Sequence, residues 1–140
     1  MLRKIDLQGS CYIEVQPGRH KEEFWKEESV YFTDDTFFLL SNIIHDIEPS
    51  FSLWGRTVIH RDNILLIADN LTALTVFLEG VPSPEKVKEK FRLIHLEEEN
   101  QFATLFLDAD YSEHINVLRS FSEWLTLQSK SHSHITILGI

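Results

Sequence analysis

The chain has little of several things, and each scarcity narrows its class. It holds one cysteine, Cys11, so no internal disulfide can form. It has no apolar run long enough to span a bilayer, and no continuous apolar stretch of signal-peptide length follows Lys4, so a cytoplasmic address is expected. With five glycines, four prolines and no low-complexity or repeated segment, nothing marks a linker or a second domain. Basic residues are also scarce. Lys and Arg total 13 against 22 Asp and Glu, a formal charge of −9 over 140 residues. Such a surface disfavours unaided binding to nucleic acid or anionic membrane, which relies on clustered cations, and leaves basic partners as the natural class. The catalytic signatures G-x-S-x-G and G-x-x-x-x-G-K-[ST] are absent, so no nucleophile, base or phosphate cradle is assigned.

What is present is an ordinary globular composition, 43% hydrophobic and 25% charged, enough for one core. Phe37, Leu40, Ile44 and Ile47 recur at steps of three and four and predict a helix over Asp34–Glu48, capped by Thr33 or Asp34 and stopped by Pro49. Ile64, Ile67, Ala68, Leu71, Leu74, Thr75 and Leu78 share a second helical face, predicting Asp62–Glu79 with an end at Gly80. Ser83-Pro84 opens a short helix to about Lys90. Ile115, Leu118, Phe121 and Leu125 line a last one over Ser112–Gln128, with Ser112 as cap. Strands are expected within Ile5–Val15 as two pieces or one bulged strand, at Val30–Phe32, around Thr57–Ile59, at Phe91–Leu96 and Phe102–Leu107 as a pair, unless the first extends the preceding helix, and at His134–Leu138. The loop from Arg19 to Glu28 should be held to the body by Phe24 and Trp25. The expected fold is α+β, a single layer of three to four helices packed on a mainly antiparallel sheet, in one domain over residues 1–140.

Three constellations invite chemistry. His132-Ser133-His134 would set two imidazoles on one side of a strand, but His95, His114 and Cys11 offer no spacing that completes a metal site, and no metal or cofactor is expected. Asp108-Ala109-Asp110 resembles a cation-holding acidic pair, although a strand end followed by a cap is the commoner meaning of that pattern. Trp54-Gly55-Arg56 reads either as a core tryptophan before a tight strand entry, the commoner case, or as a rigid recognition corner.

Charge distribution carries the functional expectation. Glu97, Glu98, Glu99, Asp108, Asp110 and Glu113 fall between Leu93 and Leu118 with no Lys or Arg, and Glu22, Glu23, Glu27, Glu28, Asp34 and Asp35 form a second group around Lys26 alone. Neighbouring carboxylates without cations can serve solubility, or can focus a field on a basic protein. The expected partner-binding set is therefore Glu97, Glu98, Glu99, Asp108, Asp110 and Glu113, with Trp54 and Arg56. No catalytic residue is expected. The competing expectation is a small-molecule-binding domain or small enzyme with a pocket between helices and sheet, using His95, His114 or the Asp108 and Asp110 pair.

The stretch PSFSLWGRTVIHRDNILLIADNLTALTVFLEG, with its Trp-Gly entry to a strand and following amphipathic helix, together with the closing HITILGI, resembles the small acidic immunity proteins of bacterial contact-dependent inhibition and polymorphic toxin systems. The resemblance implies one-to-one neutralisation in the cytoplasm of a cognate toxin domain, a basic nuclease above all, by occlusion of its active site. It transfers no binding residue, because those proteins share no universal motif.

Overall fold

The computed structural model describes residues 1–9, 11–91 and 111–139. Its helical layer follows from the apolar periods. Helix α1 runs Asp34–Ile47, with the Thr33 side chain accepting from the Thr36 N–H and Asp34 and Asp35 in the first turn, where the helix dipole favours acids. Strand β3, Arg56–His60, passes straight into α2, Arg61–Glu79. The buried face of α2 is Ile64, Ile67, Ala68, Leu71, Leu74, Thr75 and Leu78, the periodic set without exception. Helix α3 is Pro84–Phe91, and α4 is Ser112–Ser131. On α4 the buried residues include Leu118, Phe121, Trp124 and Leu125, with Ile115 packed at the core's margin; the N-cap position is Tyr111, one residue before the expected Ser112.

Among the described residues the sheet has four strands in the order β2-β1-β4-β3, every neighbouring pair antiparallel: β1 Ile13–Pro17, β2 Val30–Phe32, β3, and β4 His134–Gly139. Alternation divides its two faces. Ile13 and Val15, Val30 and Phe32, Ile59, and Ile135 and Ile137 point into one core with Phe37, Leu40, Ile44, Leu71, Leu118 and Phe121. All the described α-helices therefore share one side of an antiparallel sheet, the α+β architecture expected. Phe32 meets Phe37 and Phe121 at ring distances of 5.3 and 4.8 Å, joining β2 to α1 and α4.

One expectation near the N-terminus changes. Ile5 belongs to no strand; it lies in a 3-10 turn, Lys4–Asp6, and is 92% exposed, so its β-branched side chain never met a sheet partner. Instead Leu2 bridges to Tyr31 through backbone hydrogen bonds of 2.9 and 3.1 Å, extending the pairing along the outer edge of β2. The expected strands at Phe91–Leu96 and Phe102–Leu107 fall outside the described residues, except Phe91, which ends α3.

Candidate functional site: the outer face of the sheet

The face turned away from the helices carries Tyr31 on β2, Glu14 and Gln16 on β1, His134, Thr136 and Leu138 on β4, and Arg56, Val58 and His60 on β3. Register aligns Tyr31, Glu14, Leu138 and Arg56 in one row across all four strands. Residues 18–29 fold back over the β1 and β2 half. Trp25 stacks on Tyr31 at 5.8 Å, and the His20 N–H donates to Thr136 Oγ1 at 3.0 Å.

Glu14 is the anchor of that cover. It is fully buried, and its Oε1 accepts from Gln16 Nε2 at 3.1 Å, the Lys26 N–H at 3.0 Å and the Ser29 hydroxyl at 2.7 Å, while Oε2 accepts from the Trp25 N–H at 2.9 Å. The Tyr31 hydroxyl shares its proton between Oε1, 3.2 Å away, and the Lys26 carbonyl at 2.7 Å. A buried carboxylate is tolerable only when its lone pairs are engaged in this way. The Tyr31 phenol is pushed far above its ordinary pKa, first by desolvation and then by the charge of Glu14. Gln16 donates in addition to the Glu23 carbonyl at 2.7 Å, fixing the middle of the loop. From this frame Glu22, Glu23, Glu27 and Glu28 project into solvent, with Glu27 ion-paired to Lys4 at 3.2 Å.

The cover ends toward β3: the outward Thr136 and Leu138 of β4 are buried, Thr136 bonded to the His20 N–H and the Gly18 carbonyl, and the β3 edge lies open. Arg56 and His60 are exposed, and Arg19 reaches over from the loop to His134, Nη2 to Nε2 at 3.2 Å. The rings of His60 and His134 meet edge to face at 5.1 Å. His134 sits below the ordinary imidazole pKa, through desolvation and then the charges of Arg19 and His60.

Trp54 stands at the end of this face and corrects the expectation of a core tryptophan: its side chain is 65% exposed. Its backbone is fixed all the same. Gly139 donates its N–H to the Gly55 carbonyl at 2.9 Å, and a Cβ on Gly139 would lie 1.8 Å from the Leu53 carbonyl oxygen and 3.0 Å from Trp54 Cα. Only a glycine lets the corner lie this close to β4. Its neighbours Phe51 and Leu53 pack into or against the core, while the indole stays outside it.

The remaining candidates separate. Glu113 is exposed in the first turn of α4, whereas Glu97, Glu98, Glu99, Asp108, Asp110 and His95 lie outside the described residues. The structure therefore unites Trp54 and Arg56 on one stretch of chain. His132 is not on a strand: it is the C-cap of α4, and β4 begins only at His134, so the expected same-side histidine pair does not form. Among the described residues no group of three or more His, Cys, Asp or Glu is arranged to hold a metal ion, and no helix is long and apolar enough to cross a membrane.

Two larger hollows open at the surface. One of about 500 Å³ runs between the loop and the end of α4, lined by Lys4, Glu23, Trp25, Glu28, Gln128 and His132 among others; another of about 660 Å³ lies between α1, α2 and α3. Neither includes His114. Comparison with known proteins finds no matching family model, no matching curated protein and no matching solved structure.

Proposed function

We propose that the chain is a cytoplasmic binding protein that neutralises a cognate basic toxin, a nuclease in the first instance, by covering its active site. The observation that carries this reading is Trp54: a large aromatic side chain, 65% exposed, on a corner whose backbone is locked against Gly139. Exposed tryptophans on rigid supports are effective interface anchors, since little side-chain or loop freedom is lost when they are buried by a partner. The formal charge of −9 and the projecting Glu22, Glu23, Glu27 and Glu28 supply long-range attraction to a basic surface. Glu113 adds to the same field from α4.

The test is co-expression with the candidate toxin encoded by the neighbouring gene. A one-to-one complex that survives purification, protects cells and weakens at least tenfold in Trp54→Ala supports the reading. Absence of a complex, or a complex indifferent to Trp54, contradicts it.

A further inference from the structure

The acidic balance of the whole chain conceals a local reversal. Arg19, His20, Arg56 and Val58 line a shallow depression of about 210 Å³ on the open half of the outer face, with His134 and His60 beside it. Among the described residues the Lys and Arg ion pairs are Lys4 with Glu27 and Arg119 with Glu79; neither Arg19 nor Arg56 has a carboxylate partner. The acid nearest the depression on the sheet, Glu14, has its oxygens engaged by the loop. The Asp62 carboxylate stands 3.8 Å from His60 Nδ1, at the edge of the cluster.

Hydrogen bonding fixes the imidazoles around these cations. A guanidinium can only donate, so His134 Nε2 is an acceptor and that ring is neutral, with Nδ1 donating to Ser133 Oγ at 2.8 Å. His60 Nδ1 likewise accepts, from the Asp62 N–H at 3.4 Å, as the N-cap of α2. The Gln16 amide nitrogen is committed to Glu14 and Glu23, so its oxygen faces His20 at 3.0 Å and the proton lies on His20 Nδ1. Two guanidiniums, one from the loop and one from β3, are thus presented at one depression with donors unspent and, among the described residues, no carboxylate partner.

We propose that this depression docks a carboxylate group of a protein partner, with Arg19 and Arg56 as the two forks. The proposal rests on the reading of the chain as a binding protein and names the chemistry met beside Trp54. Guanidinium forks match carboxylates bidentately. A phosphate site would gather backbone N–H groups, and those on either side of Arg19 are spent: that of His20 on Thr136 Oγ1 and that of Gly18 on the His134 carbonyl at 2.8 Å. A carboxylate set in a basic surface is drawn in by the net charge of the chain. A nuclease that holds acidic groups for its metal inside a positive groove combines both signs.

The experiment titrates the intact protein at pH 7 and low salt with a capped tetraglutamate peptide, and separately with inorganic phosphate at matched ionic strength, while NMR follows arginine side-chain and imidazole signals. The peptide should give saturable shifts confined to Arg19, His20, Arg56, His60 and His134. The variant R19A/R56A, with unchanged circular dichroism, should bind it at least tenfold more weakly. Phosphate binding as tightly as the peptide, no saturation by the peptide, or an unaffected double variant would each overturn the proposal. Peptide binding without toxin binding would sink the neutralisation reading alone, and a toxin complex indifferent to both arginines would sink the carboxylate site alone.

Discussion

The two halves of the sheet's outer face obey the same alternation and reach opposite outcomes. On β1 and β2 the outward side chains Glu14, Gln16 and Tyr31 are buried under residues 18–29; on β3 the outward Arg56 and His60 are exposed. The difference is the loop, and the loop stays because Glu14 holds it. Two of its residues, Glu22 and Trp25, have left-handed backbones at φ 59° and 60°, a conformation that costs a non-glycine residue about 1–2 kcal/mol. Trp25 is strained and also donates its N–H to Glu14, so the cost is met where the anchor acts. A polar face can therefore become interior when one carboxylate gathers backbone donors, and it remains available to a partner where none does.

Removing the anchor should produce the largest effect. Glu14→Ala leaves the donors of Gln16, Trp25, Lys26 and Ser29 without their acceptor, and the loss of unfolding free energy should be about 3–5 kcal/mol, as for other buried charges whose network is broken. Urea denaturation measures it, and tryptophan fluorescence should report Trp25 moving into water. Next comes Gly139→Ala, whose methyl would collide with the Leu53 carbonyl; displacing the corner should cost about 1–3 kcal/mol and shift the Trp54 indole NMR signal.

The covered half should also set the alkaline limit of stability. Because folding raises the Tyr31 pKa, the folded state holds that proton more tightly than the unfolded chain. The associated stability is fully present below the ordinary phenol value, near ~10, and is lost as pH rises above it. Tyr31→Phe should flatten this alkaline decline in a pH series of thermal melts. The smallest effect lies outside the comparison. The left-handed residue closing α2 is Val81, φ 49°, rather than Gly80, and Val81 is 65% exposed. Val81→Gly should therefore gain about 1 kcal/mol in urea denaturation without disturbing either half of the face.

The helical layer was readable in advance because long amphipathic periods report directly which side is buried, and α2 shows this residue for residue. The outer face was not. Glu14, Gln16 and Thr136 alternate with apolar residues as solvent-facing side chains do, and their burial depends on a loop whose contacts are mostly backbone groups. Trp54 and Arg56 were legible as a corner, but its close approach to Gly139 joins residues far apart in sequence and left no local signal of the indole's exposure. The cationic depression had no sequence signal: Arg19, Arg56 and His134 come from separate elements and share no spacing. The acids Glu97, Glu98, Glu99, Asp108 and Asp110 lie outside the described residues, and the loop acids Glu22, Glu23, Glu27 and Glu28 are the ones seen exposed near the outer face.

The most direct test of this division is equilibrium urea denaturation of Glu14→Gln beside R19A/R56A. Glutamine keeps one acceptor oxygen but turns an amide donor toward donors, so the account predicts a loss of at least about 2 kcal/mol for Glu14→Gln. The exposed arginines should change stability by no more than about 0.5 kcal/mol. Equal losses in the two variants would mean that the open half also holds the fold together, and would contradict the assignment of that half to binding.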